Sequence, residues 1–381
     1  IDTMRSLFAT AALAAALFIG SAHRVQAAEG ASFDDTAQFL AGMQPSADSP
    51  LTPLTREANW KAHARHFDEQ WKSVEARQLS PVRAWASCNL PDTSGTLFYM
   101  FSGPDVLYAT TFFPNASTYV LSGLEPTGPI PDLAKTRGPA LSAALGHIKT
   151  SLRQVLSHGY FITSQMDHHL SSGQLPGTIP VMYLFFARTG KTIKDVSLVQ
   201  LEPSGTVKAL EASKPAGSAR AVKITFTSSP GGPEQTLYYF STDLSDGGVA
   251  KSGLLKFCEQ LKPGNSFVKS ASYLLHGGGF SSVRNFLLEN SKVIVQDDTG
   301  IPLARYEAQK WELQPFGKYV GPIPVFKGMF NAKYAALFKN APPIDFSLGY
   351  RWKPNQSNLL LAIKKPGISM SMTETASPSA R

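Results

Sequence analysis

The sequence predicts an α+β protein in which helices pack on a mixed or mainly antiparallel sheet. Segments whose apolar residues recur every three or four positions alternate along the 381 residues with aromatic and β-branched runs, which are typical of helices and strands respectively. Two predicted strands, 179–187 and 194–201, are joined by a turn too short for the helical crossover of a parallel pair. Hydrophobic residues make up 43% and charged residues 17% of the chain, which supplies a sizeable core and excludes a disordered polymer.

The first residues have the layout of a secretory signal peptide. Residues 4–6 form a short positive start, residues 7–20 are an uncharged run, and Val25 and Ala27 occupy the −3 and −1 positions of a cleavage site. A helix of this run rises only about 21 Å, less than the roughly 30 Å hydrocarbon core of a bilayer. We therefore predict that residues 1–27 are removed and that a soluble periplasmic or secreted protein without a membrane span remains.

The mature chain is predicted to begin with a flexible lead-in at 28–52, which is polar and rich in Pro and Ser. A first α+β half, at 53–230, follows it. Its first helix starts at Thr52 and Pro53, a favourable pair for a helix start. The apolar stripe of this helix is formed by Trp60, Ala64, Phe67, Trp71 and Val74.

Aromatic and β-branched residues dominate 96–124, which predicts two or three strands. The segment shows little of the alternation expected of a solvent-facing sheet, so these strands are predicted to be central. A second helix is predicted at 139–157, where apolar residues share one face. Another strand is predicted at 219–228.

The second half, at 231–366, is predicted from a partial repeat. The segment TLYYFSTD (236–243) is similar to TLFYMFSGPD (96–105), since each is an aromatic strand that runs into an acidic turn, and this suggests two topologically related halves. Its predicted helices are 250–261, 266–275, 281–290 and 332–339, and its predicted strands are 293–298 and 358–365. Residues 367–381 are predicted to form a disordered tail.

The chain has two cysteines, Cys88 and Cys258. Export to an oxidising compartment favours a disulfide between them, which would close a loop of roughly 170 residues and stabilise the fold by about 5 kcal/mol. Two separately buried thiols are the alternative.

The formal charge of +8 is spread along the chain. No tail or helix concentrates it, and no run of five like charges occurs, so nucleic-acid binding is not predicted. A solvated mixed surface is the expected result, although a basic protein of the cell envelope can also be retained at anionic lipids or polymers.

Acidic residues follow two predicted strands, at the strand ends where ligand sites collect in sheets. Asp105 ends the segment FSGPD, and Asp297 and Asp298 end VIVQDD. Burial beside a second carboxylate would raise one pKa of such a pair and allow general acid–base catalysis. The alternative is that each carboxylate only caps a turn, as Asp side chains do routinely.

A glycine-rich segment that begins at His276 is similar to the oxyanion-hole loop of esterases in the α/β-hydrolase family. The G-x-S-x-G motif that such esterases need occurs nowhere in the sequence, so a serine esterase is not predicted. His276 itself is a candidate catalytic proton carrier or metal ligand. The candidates for binding an anionic ligand group through free N–H groups at a helix start are Gly277, Gly278, Gly279, Ser281 and Ser282.

The densest polar cluster contains Asp167, His168 and His169. Adjacent His side chains on a strand point to opposite faces and do not easily share one metal, whereas in a loop they can. A divalent metal, either a hard cation or zinc, is the cofactor that this cluster would hold. Its further ligands would come from Asp105, His276 and Asp297 or Asp298.

Five short segments resemble those of a family of uncharacterised exported bacterial proteins. They are FSGPD (101–105), TFFPN (111–115), SASYLLH (270–276), SVRNFLL (282–288) and QDDTGIP (296–302). The resemblance covers most of the mature chain and implies a bacterial envelope protein. It implies no activity and no catalytic residue.

Two functions are compatible with these observations. The first is an exported envelope protein that binds a small molecule or an envelope component as its ligand or partner. The second is a hydrolase that acts on an envelope or nutrient substrate with metal or carboxylate assistance. A pocket lined by Tyr and Phe would favour the first, and converging carboxylates or a bound metal would favour the second.

Overall fold

The computed structural model describes residues 30–133, 136–158, 175–211, 214–215 and 219–366. The predicted signal peptide, the predicted tail and the candidate metal ligands Asp167, His168 and His169 lie outside these residues. The described residues form ten α-helices and ten β-strands, and all ten strands belong to one mixed sheet. This confirms the predicted α+β class.

The helices fall into two groups along the chain. The first six are α1 (Phe33–Leu40), α2 (Ala58–Val74), α3 (Ser80–Asn89), α4 (Val106–Phe112), α5 (Gly138–His158) and α6 (Ile179–Arg188). The other four are α7 (Asp246–Ser252), α8 (Leu254–Gln260), α9 (Ser281–Asn290) and α10 (Ala332–Leu337). Within the described part of the chain, no helix is both long enough and apolar enough to cross a bilayer.

The strands are numbered along the chain. They are β1 (Gly95–Tyr99), β2 (Ala116–Gly123), β3 (Thr192–Leu201), β4 (Val207–Ala209), β5 (Ala221–Thr227), β6 (Glu234–Ser241), β7 (Gly264–Val268), β8 (Ser291–Gln296), β9 (Trp311–Gly317) and β10 (Asn358–Lys364). Their order across the sheet is β4-β3-β5-β6-β2-β1-β7-β8-β10-β9.

The five central strands of the sheet are parallel. Parallel ladders join β6 to β2, β2 to β1, β1 to β7 and β7 to β8. Antiparallel ladders add β5, β3 and β4 beyond β6, and β10 and β9 beyond β8. Of the two predicted sheet types, the mixed one is therefore present.

The order of the parallel strands reverses beside β1. The chain places β2 and β6 on one side of β1 and later returns to place β7 and β8 on its other side. Helix α4 connects β1 to β2, and α9 connects β7 to β8. The gap between β1 and β7 is thus a topological switch point, and in open α/β sheets ligands bind there, outside the carboxyl ends of the strands.

The sheet separates two apolar cores. Leu97 and Tyr99 of β1 belong to the core that contains helices α1 to α6, whereas Phe98 belongs to the core that contains α7 to α10. The residues of β2, β8 and β10 divide in the same alternating way. Because a central strand is covered on both faces, its sequence is almost continuously apolar, and the predicted central position of β1 and β2 is confirmed.

The predicted strand at 179–187 is wrong, because these residues form α6. Every residue from 179 to 187 is buried. An apolar run that is buried on all sides has no period that distinguishes a helix from a strand. Pro180 lies in the first turn of α6, where a missing N–H costs little, and the Phe186 ring packs 4.6 Å from that of Phe226 in the sheet.

The predicted flexible lead-in at 28–52 is also wrong over its described part. Residues 33–40 form α1, in which Phe39 and Leu40 are fully buried. The side chain of Ser32 caps this helix by accepting the N–H of Asp35 at 3.0 Å. Polar composition predicted flexibility here, but a few buried apolar side chains fix the helix on the protein.

Two predicted elements near the switch point differ from the structure. The predicted helix at 266–275 is β7 followed by irregular turns, and the predicted strand run at 96–124 is interrupted by α4. With 5 and 7 residues, β7 and α4 are too short for a period to show in the sequence.

The two predicted halves share one sheet. The boundary predicted between 230 and 231 falls between β5 and β6, which pair with each other. Strand β6 of the second half lies between β5 and β2 of the first. The halves are therefore interleaved rather than side by side.

The predicted disulfide is not formed, since Cys88 and Cys258 are free thiols. Cys88 is exposed on α3, and Cys258 is buried in α8. Because α3 and α8 cover opposite faces of the sheet, the sheet lies between the two sulfur atoms. A disulfide needs Cα atoms within about 7 Å of each other.

Candidate functional site

The loops that follow the five parallel strands meet at one edge of the sheet. Ser102, after β1, connects its loop to the end of β2, because its N–H donates to the carbonyl of Ser122 at 2.9 Å and its Oγ accepts the N–H of Ser122 at 3.1 Å. The loop residues are 100–105 after β1, 124–125 after β2, 242–243 after β6, 269–273 after β7 and 297–299 after β8. The crevice between these loops is the candidate site.

A buried ion pair crosses the switch point. Nζ of Lys269, which follows β7, lies 2.9 Å from Oδ2 of Asp105, which follows β1, and the two side chains are 3% and 0% exposed. The hydroxyl of Tyr99 donates to the same carboxylate oxygen at 2.8 Å. The Lys269 ammonium also lies 4.6 Å from the centre of the Tyr108 ring. These neighbours replace the water that both charges have lost.

Asp105 has a second role as a helix cap. Its Oδ1 accepts the backbone N–H of Tyr108 at 3.1 Å, at the start of α4. Burial and the charge of Asp105 raise the pKa of Tyr99 well above its ordinary value, so this hydroxyl stays protonated and remains a donor. The carboxylate is thus fully engaged by groups of the chain itself.

Ser270 lines the crevice next to the ion pair. Its N–H donates to Oδ2 of Asp297 at 2.9 Å, and its carbonyl accepts the hydroxyl of Tyr350 at 2.7 Å. Its Oγ is buried and has no hydrogen-bond partner among the described residues. The backbone of Ser270 is therefore held on both sides, while its hydroxyl is left for another group.

Backbone strain is concentrated at the switch point. In the described part of the chain, four non-glycine residues have a positive φ, and they are Phe101 (62°), Ser270 (53°), Ser272 (51°) and Tyr273 (57°). Phe101 follows β1, and the other three follow β7. Such a backbone conformation costs on the order of 1–3 kcal/mol per residue and occurs preferentially at functional sites.

Asp297 and Asp298 follow β8, the neighbour of β7. Asp297 is buried and accepts the N–H groups of Ser270 and Thr299, the latter at 3.0 Å. Asp298 accepts the hydroxyl of Tyr273 and, at 2.9 Å, the side-chain amide of Asn358. Burial, together with the charge of Asp298, raises the pKa of Asp297, and burial raises the pKa of Asp298.

Asp105 and Asp297, each predicted at the end of a strand, contact two consecutive residues of the chain. Asp105 binds the side chain of Lys269, and Asp297 binds the backbone of Ser270. Both carboxylates therefore lie at the end of β7 and act on the two residues that follow it. Each also caps a local turn or helix, as the alternative interpretation expects.

A cleft of about 160 Å³ opens between the loops. The polar side chains that line it are Glu125, Thr242, Asp243, Ser270 and Ser272. The larger apolar side chains that line it are Phe101, Leu124, Leu244, Leu274 and Phe280. Gly103 has a φ of 55°, and a Cβ at this residue would lie 3.3 Å from the carboxylate of the buried Glu125, so a larger residue would be strained in its backbone and would crowd that carboxylate.

The predicted glycine-rich loop lies beside this cleft. Leu274 and Phe280, which flank the loop, line the cleft, whereas residues 277–279 form an exposed turn. Arg284 holds the turn by donating to the carbonyls of Leu275 and Gly277 at 2.8 and 2.9 Å. The candidates Gly277, Gly278 and Gly279 are thus exposed beside the cleft and are not among the residues that line it.

The start of α9 already binds a carboxylate. Oγ of Ser281 donates to Asp246 at 2.7 Å, and the N–H of Ser282 donates to the other oxygen of Asp246 at 2.8 Å. These donors are therefore used by a side chain of α7, and binding of a ligand anion at Ser281 and Ser282 stays a prediction.

His276 is held next to Tyr273, with their ring centres 5.2 Å apart. Its Nε2 is buried without a partner among the described residues. Burial lowers the pKa of His276, so the ring is neutral at pH 7. No hydrogen bond connects it to Asp105, Asp297 or Asp298 in the part of the chain that the structure describes.

The predicted metal site remains a prediction. Among the described residues, no three His, Cys, Asp or Glu side chains are grouped so that they could hold a metal ion. The other predicted ligands, Asp167, His168 and His169, lie outside the described residues.

Three residues of the crevice were not predicted from the sequence, and they are Glu125, Lys269 and Ser270. The segment that contains Lys269 and Ser270 was predicted as a helix, so its place at a strand exit was missed. The useful signal in the sequence was the apolar pair Phe267 and Val268 directly before them, because it marks the end of a short central strand.

The fold and the crevice together define a three-layer α/β/α protein with a cleft at the switch point of its parallel strands. Comparison of the chain with family models, with curated proteins and with solved structures finds no match. The function therefore has to be argued from the cleft itself.

Proposed function

We propose that this chain is a binding protein for a small ligand, which it holds in the cleft at the switch point. The observation that carries the proposal is the position of the strained residues. Phe101, Ser270 and Ser272 line the cleft, and Tyr273 follows them directly. A strained backbone persists only where the surrounding structure enforces it, and such places are commonly ligand sites and active sites.

The groups around the cleft enforce its shape. Tyr350 donates to the carbonyl of Ser270 and, at 2.6 Å, contacts the hydroxyl of Ser272. The hydroxyl proton of Tyr350 is used on the carbonyl, so Ser272 donates in this second bond. A site fixed in this way loses little conformational entropy when a ligand binds.

The lining of the cleft indicates the chemical class of the ligand. The polar groups of the lining include the hydroxyl of Ser270, which has no partner among the described residues, and the carboxylate of Asp243. The apolar groups include the rings of Phe101 and Phe280, 5.9 Å apart. An apolar cavity of about 150 Å³ accommodates benzene. The proposed ligand is therefore a small molecule of roughly six to ten non-hydrogen atoms, with hydrogen-bond donors on one side and hydrocarbon on the other.

The proposal includes export. The layout of residues 1–27 supports a signal peptide, so the ligand would be met in the periplasm or outside the cell. N-terminal sequencing of the protein from the envelope fraction is expected to give a start at or near Ala28. A start at Met4 in cytosolic material would contradict it.

Ligand titrations test the binding function. The chain from Ala28 onward is titrated with cyclohexanol, benzyl alcohol and benzylamine, each of which combines one donor group with a six-membered ring. At least one of them is expected to raise the midpoint of thermal unfolding in a concentration-dependent way. If none does, the proposed ligand class is wrong.

A cleft-filling variant shows where the probe binds. Leu274→Trp places a larger side chain in the lining, 37% exposed in the native chain, and is expected to abolish the response. Asn285→Trp adds the same side chain at an exposed position of α9 and is expected to keep it. An equal response in both variants would show that the probe binds elsewhere.

A further inference from the structure

One surface of the protein combines exposed apolar and basic side chains. It is formed by residues 318–353, between β9 and β10 along the chain, and is called the 318–353 surface below. Its most exposed apolar side chains are Val320 (42%), Val325 (75%), Phe330 (59%) and Trp352 (58%). Its exposed lysines are Lys318, Lys327, Lys333, Lys339 and Lys353.

The 318–353 surface is strongly cationic. Its sequence contains six Lys and Arg residues, and Asp345 is its one acidic residue. None of its five exposed lysines forms an ion pair with any described residue. The segment 318–353 therefore has a net charge of +5, six basic residues minus one acidic residue, and its five exposed lysines have no ion-pair partner among the described residues.

Internal contacts join segments of this surface. The ring of Tyr319 stacks on that of Phe330 at 5.9 Å, which fixes the exposed Phe330 beside Val320. Arg351 donates to the carbonyl of Gly321 at 2.5 Å, and this bond joins the segment of Val320 to that of Trp352. The segments that carry the exposed Val320, Phe330 and Trp352 are therefore held against one another.

The exposure of these side chains is unusual within the molecule. Six large apolar side chains of the described residues are strongly exposed, and four of them belong to the 318–353 surface. The other two, Leu124 and Leu274, line the cleft. Clustered exposed apolar side chains mark a surface that binds a partner or a membrane.

We propose that the 318–353 surface binds the surface of an anionic lipid bilayer. Trp and Phe side chains favour the headgroup region, where an apolar ring and polar surroundings are both available. The lysines would contact lipid phosphates, and each adds roughly fivefold to the affinity for an anionic membrane. An anionic polymer would use the lysines equally well, but it would leave Val325 and Phe330 in water. The proposal does not depend on the cleft.

Vesicle sedimentation tests this surface. The chain from Ala28 onward, which keeps every described residue and lacks the apolar run at 7–20, is mixed with phosphatidylcholine vesicles. A second set of vesicles contains three parts of phosphatidylglycerol to seven of phosphatidylcholine. Binding is expected only to the second set, and at 0.5 M salt it is expected to weaken by at least about tenfold. Equal binding to both sets would overturn the proposal.

Tryptophan fluorescence shows whether the surface enters the bilayer. Trp60, Trp85 and Trp311 are buried, Trp71 is half-buried, and Trp352 is the exposed tryptophan. Anionic vesicles are expected to shift the emission to the blue, and brominated lipid is expected to quench it. Trp352→Phe is expected to abolish both signals while binding changes by less than about threefold. If the protein sediments with the anionic vesicles and its emission does not change, Trp352 does not insert and the proposal is wrong.

Charge variants test whether vesicle binding depends on the 318–353 surface or only on the net charge of the protein. Lys327→Gln, Lys333→Gln and Lys353→Gln together are expected to weaken vesicle binding by at least about tenfold. Lys61→Gln, Arg65→Gln and Lys72→Gln remove the same charge from exposed positions of α2 and are expected to change binding by less than about threefold. Equal losses in the two triple variants would overturn the assignment of the surface.

An apolar variant decides between a bilayer and an anionic polymer. Val325→Ser with Phe330→Ser alters exposed side chains, so the fold is expected to persist, as far-UV circular dichroism checks. Vesicle binding is expected to fall by at least about tenfold. Unchanged vesicle binding, together with equally tight binding to heparin, would show that the partner is a polyanion.

Discussion

Lys269 and Asp105 form an ion pair 2.9 Å long between the ends of two adjacent parallel strands, with both side chains buried. Removal of one partner leaves the other charge buried without compensation. Lys269→Met is therefore expected to lower the free energy of unfolding by about 3–5 kcal/mol, measured by urea unfolding at pH 7. Lys310→Met breaks the exposed pair of Lys310 with Glu307 and is expected to cost less than about 1 kcal/mol. Equal losses of unfolding free energy in the two variants would contradict the expected contribution of the buried ion pair.

Ser270→Gly is expected to stabilise the protein and to weaken the proposed binding of a small ligand. Glycine adopts the φ of 53° without strain, and the substitution removes a buried hydroxyl that has no partner among the described residues. The expected gain in unfolding free energy is about 1 kcal/mol. Ser272→Gly relieves a similar φ but loses the bond to Tyr350, so its gain should be smaller. A destabilised Ser270→Gly variant would show that its hydroxyl has a structural role.

The Asp297 carboxyl is expected to make the protein less stable as the pH rises. Its pKa in the folded state is raised by burial and by the charge of Asp298, so the folded protein binds more protons than the unfolded one above pH 3.8, the ordinary pKa. The free energy of unfolding of the wild type minus that of Asp297→Asn should therefore decrease as the pH increases from this value. Urea unfolding over a pH series measures the difference.

Asp92→Asn is the control for this titration. Hydrogen bonds from Ser94 lower the pKa of Asp92, so the sign is reversed and the wild type should gain stability relative to this variant as the pH rises. The same direction for both variants would contradict the raised pKa of Asp297.

His63 is expected to destabilise the protein in acid. Its Nε2 donates to the carbonyl of Leu40 at 2.7 Å, and burial lowers its pKa to about 4. The unfolded chain takes up a proton near pH 6.5 and the folded chain does so only near 4, so stability is lost as the pH falls between these values, by about 3 kcal/mol in total. His63→Gln keeps a donor and does not titrate, and it should lack this slope. Equal slopes in the two proteins would contradict the lowered pKa.

The two cysteines are expected to react separately. Cys88 is exposed, whereas Cys258 is buried, and burial raises the pKa of the Cys258 thiol. Titration with Ellman's reagent should detect one thiol in the native protein and two in urea without a reductant. Cys88→Ser should remove the native reaction. If no thiol is detected in urea, the two cysteines form a disulfide after all.

The elements that were predicted best from the sequence are those whose pattern of apolar residues shows which side chains are buried. The helix with its stripe from Trp60 to Val74 and the central strands β1 and β2 were found because their patterns are long or continuously apolar. Strand β7 and helix α6 were missed, since short or uniformly buried segments show no period.

The same limit applies to the candidate site. Asp105 and Asp297 could be selected as acidic residues at strand exits. Lys269 could not be selected, because a lysine is expected to be buried only when a carboxylate is known to lie next to it. Its partner, Asp105, is distant along the chain. The strain at Ser270 and Ser272 likewise depends on tertiary contacts with Tyr350 and Asp297, which no local pattern contains.

The position of β1 determines when the cleft is completed during folding. β1 can pair with β2 as soon as both are synthesised, but its other edge waits for β7, when Leu97 meets Asn265. Contacts this distant along the chain form late, because the intervening loop must first lose its entropy. Until then β1 has an open edge that can pair with other chains. A truncated or stalled chain that ends before β7 would therefore be prone to aggregate, and refolding protein should gain its helical signal before it completes the cleft proposed to bind a ligand.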